Sequence, residues 1–101
     1  MIEVITEYSC LPGQRQRVLD AALALQAAVR DEVGCLGYNP LVDTPASIPD
    51  QWLDPDGVVL VEQWQSLKHL HAHLSSTHLM DFERDTAEAV REIRQRVLAA
   101  P

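Results

Sequence analysis

The sequence predicts a small α+β domain in which helices cover one face of an antiparallel sheet. Three observations carry this prediction: apolar residues alternate at the N-terminus and a valine-rich strand pattern ends at residue 64, a helical apolar spacing lies between them, and the elements follow the order strand, helix, strand, strand, helix, helix. A chain of 101 residues has room for one modest core. We therefore expect a single domain over residues 1–101.

The first two elements are a strand and a helix. Residues 2–9 place Ile2, Val4, Thr6 and Tyr8 on one face, and this alternation of β-branched and aromatic residues is typical of a strand. Between residues 14 and 30 apolar side chains recur every three or four positions, which predicts one helix. Gly34 follows where a left-handed cap is expected.

A second strand and a long loop come next. Residues 35–42 form the strand, and Pro40 within it predicts an edge strand or a bulge, because proline donates no hydrogen bond to a neighbour. Residues 43–57 hold three prolines and four aspartates and predict a long loop, and loops of this length are usually functional or mobile. Trp52 lies inside this loop, where we expect it to fold back as a lid or to pack on a partner subunit.

The second half of the chain predicts one strand and two helices. Residues 58–64 (VVLVEQW) form the clearest strand, and residues 66–74 form a short helix. A longer helix is predicted from Thr77, its N-cap, to Leu98, so that Arg91, Arg94 and Arg96 lie on a solvated helix face and no fourth strand is expected.

A homodimer is predicted because one sheet face has no cover. All the predicted helices lie on the other face, and no chain remains to form a second layer. A second copy of the same chain is the natural cover for this face.

Composition limits the partners and the compartment. The formal net charge of −7 argues against nucleic acid, which requires a basic surface. No apolar run approaches the roughly 20 residues that cross a membrane, and the N-terminus lacks a signal-peptide pattern, so we expect no membrane association and a cytoplasmic protein. Cys10 and Cys35, placed at opposite ends of parallel strands, are expected to be reduced thiols.

Four motifs in register resemble the antibiotic biosynthesis monooxygenase family, over residues 1 to about 85. They follow an opening strand that ends in x-Pro-Gly, and they read Glu32-x-Gly34-Cys35-Leu36-x-Tyr38, Val59-Leu60-Val61-Glu62-x-Trp64, Ala72-His73-Leu74 and Ser76-Thr77-His78. The resemblance implies a ferredoxin-like, dimeric α/β-barrel and oxidation of phenolic or quinol rings by dioxygen without metal or flavin. The chain departs from the family in the expected absence of the fourth strand and in the longer loop at 43–57. With the strand order that the resemblance implies, the absence of the fourth strand would leave the first strand at a sheet edge.

The candidate catalytic residues are Glu62, His73 and His78. Glu62 and Trp64 share one strand face, and a carboxylate there is costly to bury without a partner. A histidine beside it can act as a general base near neutral pH, with Glu62 orienting His73. The alternative is a purely structural pair.

The candidate substrate contacts are aromatic, and core packing is the alternative for each of them. They are Tyr8, Tyr38, Trp64 and Phe82.

No cofactor is predicted. The chain lacks a glycine-rich phosphate motif, and His69 and His73 have metal-ligand spacing but no obvious third ligand. Haem-degrading relatives of this fold carry an asparagine and a histidine at positions that fall near Glu7 and Glu83, which argues against haem.

The resulting hypothesis is a cofactor-independent monooxygenase that acts on a small aromatic or quinol-like substrate with dioxygen. Two alternatives stay open: an enzyme that isomerises or processes a small phosphorylated ligand, and a non-catalytic dimeric module that binds a ligand or serves a stress response.

Overall fold

The computed structural model describes residues 1–101 and contains four strands and four α-helices. In chain order the elements are β1 (Ile2–Cys10), α1 (Arg15–Ala24), α2 (Gln26–Arg30), β2 (Cys35–Leu41), β3 (Gly57–Trp64), α3 (Leu67–Leu74), α4 (Thr77–Thr86), a 3-10 turn (Ala87–Ala89) and β4 (Val90–Leu98). No helix has the length and apolar character needed to span a membrane.

The four strands form one antiparallel sheet in the order β2-β3-β1-β4, and the fold is ferredoxin-like α+β. The expectation that the fourth strand is missing is therefore wrong. β1 is a central strand paired with both β3 and β4, rather than an edge. The two edges are β2 and β4.

The last helix ends at Thr86, not at Leu98, because pairing with β1 overrides local helix propensity. Residues 91–96 consist mainly of arginine, glutamate and glutamine, which favour helices in isolation. Ile93 and Val97 pair with Tyr8 and Val4 of β1, and a register shift at Ser9/Cys10 places Val90 opposite Cys10. With that shift the apolar spacing of 90, 93 and 97 fits a bulged strand as well as a helix. The three arginines lie on β4.

The remaining boundaries differ in smaller ways. The helix predicted over 14–30 is interrupted at Leu25, which separates α1 from α2. Gly34 has the predicted positive φ, 84°, but lies in the turn before β2. Ser76, not Thr77, caps α4 by accepting from the backbone N–H of Leu79. Pro40 predicted that β2 is an edge strand or contains a bulge. β2 is an edge strand, and it also has a register shift near its start.

The core lies between the helices and one face of the sheet. Its buried apolar side chains on β1 and β3 are Val4, Tyr8, Cys10, Val58, Leu60 and Trp64. The helices contribute a further buried set: Val18, Ala22, Val29, Leu70, Leu79 and Phe82. Both cysteines are free. The other sheet face has no covering layer within the chain.

Candidate active site

Glu62 is a carboxylate in the core face of β3. The alternation that buries Val58, Leu60 and Trp64 also turns Glu62 inward, so that only 4% of the residue is exposed. The Trp64 Nε1–H donates to Glu62 Oε1 at 3.1 Å. Burial, the largest influence, raises the pKa of Glu62 and favours its protonated form, although nearby His73 and the Trp64 hydrogen bond oppose this.

His73 is held between two carboxylates. It lies on the inner side of α3, and 3% of its side chain is exposed. Its Nδ1 is 2.8 Å from Glu32 Oε2, and its Nε2 is 3.5 Å from Glu62 Oε1. The imidazole also packs on the Trp64 indole, with 4.7 Å between ring centroids. The ring is therefore fixed on three sides.

Glu32 joins the two predicted histidines. It lies in the turn between α2 and β2, and its Oε2 is also 2.9 Å from His78 Nε2 in the first turn of α4. Sequence reasoning missed this role, because Glu32 is 41 residues from His73 along the chain. The available signal was its place in the Glu32-x-Gly34 motif just before β2.

A small cavity lies beside Glu62 and His73, between the sheet and the α3–α4 pair. Its volume is about 30 Å³, and no arginine or lysine lines it. Three predicted contacts line it, namely Tyr8, Tyr38 and Phe82. Two other predicted residues do not: Trp64 packs beneath Glu62, and His78 lies behind His73 on the Glu32 side.

The aromatic residues of the cavity wall are also packed in the core. Tyr8 and Phe82 meet edge to face with centroids 5.8 Å apart, and the Tyr38 hydroxyl donates to the Ala22 carbonyl at 3.0 Å. Burial raises the pKa of both tyrosines, so neither phenol is suited to lose its proton near neutral pH. Their geometry fits a wall better than a base.

The histidine pair suggested by spacing is not brought together as a metal site. His69 Nδ1 is 2.7 Å from the Ser66 hydroxyl, at the start of α3. A different set converges instead: Glu32, His73 and His78 each offer one ligand atom, and these atoms all lie within 4.8 Å of one another.

The loop at 42–56 does not cover this cavity. Trp52 is 75% exposed and lines a shallow hollow with Glu7 and Val59, whose side chains belong to the uncovered sheet face. It is therefore not folded back as a lid over His73.

Comparison with known proteins assigns the chain to a family. Residues 1–85 match the model of the family described as Antibiotic biosynthesis monooxygenase, and the chain belongs to that family. The resemblance noted in the sequence is confirmed.

The chain is 40% identical over 100 residues to the "Probable quinol monooxygenase YgiN" of Escherichia coli K12, which covers 97% of the chain and 96% of that protein. The Shigella flexneri protein of the same name matches equally well. Two solved structures share the fold. PA3566 from Pseudomonas aeruginosa has a TM-score of 0.82 and 23% identity, with 99% of this chain and 93% of that chain covered. Rv0793 from Mycobacterium tuberculosis has a TM-score of 0.82 and 24% identity, with 99% of this chain and 94% of that chain covered.

Proposed function

We propose that this protein is a cofactor-independent monooxygenase that oxidises a small aromatic, quinol-like substrate with dioxygen. Family membership and the 40% identical relatives, named as quinol monooxygenases, support monooxygenase activity in general. The observation that carries the finer proposal is the placement of His73, with one ring nitrogen on a carboxylate and the other directed toward the cavity carboxylate Glu62.

In this proposal His73 is the general base. If Nδ1–H donates to Glu32, the Nε2 atom is left unprotonated and can accept a phenolic proton. The Glu32 carboxylate then stabilises the imidazolium that forms. The sequence-based hypothesis gave the orienting role to Glu62, but the shorter contact, 2.8 Å against 3.5 Å, favours Glu32.

Deprotonation makes the ring electron-rich enough to reduce dioxygen. A hydroquinone with one free ring carbon gains one oxygen atom there and leaves as a hydroxyquinone. The second oxygen atom leaves as water, and the substrate supplies all the electrons, so the overall reaction needs no external reductant. Glu62, with its raised pKa, is in place to donate a hydrogen bond to an oxyanion in the cavity.

The proposed reaction requires the cavity to widen. Its volume is about 30 Å³, whereas an engineered cavity of about 150 Å³ accommodates benzene. The wall includes Leu74, Glu83 and Gln95, which are exposed and lie on α3, α4 and β4. We propose that substrate gains access by moving these side chains apart.

The cavity lining also bears on the alternative enzyme class. A phosphorylated ligand requires cationic side chains or a similar anion site, and no arginine or lysine lines this cavity. The apolar and aromatic wall fits a neutral ring better. A non-catalytic binding module remains the competing outcome of the experiment below.

The functional unit that we propose is a homodimer joined through the uncovered sheet face. Ile5, Val59 and Val61 form an apolar centre there, and Ile5 pairs directly with Val61. Glu7 of β1 and Arg94 of β4 are neighbours at its polar margin. An apolar centre with a polar rim is the usual anatomy of a protein interface, and Trp52 would be covered by the same partner.

The test is oxygen consumption with a panel of dihydroxyphenols and anthrone-like substrates. His73→Ala should lose on the order of 10²-fold or more in rate, as expected for removal of a general base. Glu32→Gln alone should lower the rate, but adding Glu32→Gln to His73→Ala should lower it little further, because the two residues act as a unit. His71→Ala, an exposed histidine on the same helix, is the matched control.

The outcomes separate the alternatives. Folded variants that all retain wild-type rates would refute the assignment of His73 and Glu32. A wild-type protein that binds panel members without consuming oxygen would support the binding module instead.

A further inference from the structure

Glu32, His73 and His78 converge at one point, and His78 has no part in the proposed oxidation. We call these three residues the Glu–His–His cluster. It lies on the far side of the His73 ring from the cavity, because His73 presents Nδ1 to Glu32 and Nε2 to Glu62. Its three ligand atoms come from the α2–β2 turn, α3 and α4, and lie within 4.8 Å of one another.

The donor set is suited to a divalent transition metal. Two imidazole nitrogens and one carboxylate oxygen are ligands that zinc takes in sites with an open fourth position. Bond lengths of about 2.0–2.1 Å place tetrahedral ligand atoms roughly 3.3 Å apart. The two present separations from Glu32, 2.8 and 2.9 Å, have to widen by about half an ångström, which a turn residue such as Glu32 can accommodate. The two histidine nitrogens lie within 4.8 Å of each other and have to adopt the same spacing.

An outer shell for such an ion is already present. Metal-bound histidines usually donate their other ring N–H to a carboxylate, which fixes the ring and raises its basicity. His73 directs Nε2 toward Glu62, and Glu62 is itself fixed by Trp64.

The cluster is also partly open to solvent. His73 is buried, whereas 18% of the Glu32 side chain and 32% of the His78 side chain are exposed. An ion can therefore reach the cluster from solvent through His78 and retain a water as its fourth ligand.

We propose that the Glu–His–His cluster binds one divalent transition-metal ion such as Zn²⁺. The ion would occupy Nδ1 of His73, so that Nε2 carries the proton and donates to Glu62. His73 could then no longer accept a proton from a substrate. The ion is thus an inhibitor and not a cofactor; this consequence rests on the proposed function, whereas binding itself does not.

The experiment is calorimetric titration of untagged, chelator-treated full-length protein with ZnCl2, and with MgCl2 as a control ion. Wild type should bind one Zn²⁺ per chain and no Mg²⁺. Glu62→Gln should weaken zinc binding by roughly 10–100-fold, the usual effect of an outer-shell change. His78→Ala should weaken it at least as much, and His71→Ala should bind like wild type.

Two results would overturn the proposal: no zinc binding by wild type, or equal affinity in His78→Ala and wild type. Zinc should also raise the melting temperature of wild type and not of His78→Ala, which guards against a variant that simply misfolds. Oxygen consumption is measured separately. Zinc binding without inhibition would refute only the role of His73 as base.

Discussion

Removing Glu32 should destabilise the fold, because this carboxylate is the only hydrogen-bond partner of a buried ring nitrogen. In Glu32→Ala, Nδ1 of His73 is left without an acceptor in a side chain that is 3% exposed. Leaving a buried donor unsatisfied costs about 1–3 kcal/mol. His78 is exposed enough to be hydrated and adds little. We therefore expect a loss of about 2 kcal/mol in the free energy of unfolding.

The assay is urea unfolding followed by circular dichroism, at one fixed protein concentration because the stability of the proposed dimer would depend on concentration. A loss of about 2 kcal/mol corresponds to roughly 8–16 °C in melting temperature for a domain of this size. The control is Asp31→Ala, which removes a neighbouring exposed carboxylate and should stay within about 0.5 kcal/mol of wild type. If Glu32→Ala also stays within that range, Glu32 does not anchor the network as described.

Three further predictions concern Gly34, Glu62 and the dimer. Gly34→Ala should lower the free energy of unfolding more than Gly13→Ala. Both glycines have positive φ, but only at Gly34 would an added Cβ lie 2.2 Å from the His69 ring. Equal losses for the two variants in chemical unfolding would contradict this. Because burial raises the pKa of Glu62, its contribution to stability is fully present below the unfolded value of about 4.3 and is lost as the pH rises toward the folded value. Glu62→Gln should therefore gain stability relative to wild type between about pH 4 and pH 7, and a difference independent of pH in urea unfolding would refute the raised pKa. Light scattering should give about twice the 11.3 kDa chain mass for wild type and one chain mass for Val61→Glu. A monomeric wild type would contradict the proposal that a second copy covers the open sheet face.

The elements governed by local periodicity were predictable from the sequence. Alternation located β1, the valine-rich run located β3, and the two-residue period of a strand placed Glu62 on the same face as Trp64. The spacing of apolar residues located the helical region from Val18 to Val29, though not its break at Leu25. In each of these, one amphipathic face is buried, so that local pattern and tertiary packing agree.

β4 was not predictable in the same way. Its residues are exposed on both faces except at its ends, so no inward-facing row distinguishes a strand from a helix. Its conformation is set by pairing with β1, more than 80 positions earlier in the chain. Long-range pairing of this kind leaves little trace in local composition.

The candidate site was predictable only in part, because one of its contacts joins residues that are far apart in the sequence. Glu62 and Trp64 follow from one strand, and His73 and His78 from the helices packed against it. Glu32 required the three-dimensional structure, because its position in a turn reveals nothing about which side chain it meets. The exchange of the orienting role between Glu62 and Glu32 follows from that missing contact.

In the proposed mechanism, His73, held by Glu32, activates a substrate ring for direct reaction with dioxygen. This mechanism can be tested by turnover of a reactive hydroquinone under ¹⁸O₂, with chelator-treated protein that shows no flavin or haem absorbance, and with mass spectrometry of the product. We predict one ¹⁸O atom in the wild-type product and a product-formation rate at least about 10²-fold lower for folded His73→Ala. A product without ¹⁸O, or equal labelling at an equal rate in His73→Ala, would contradict the account.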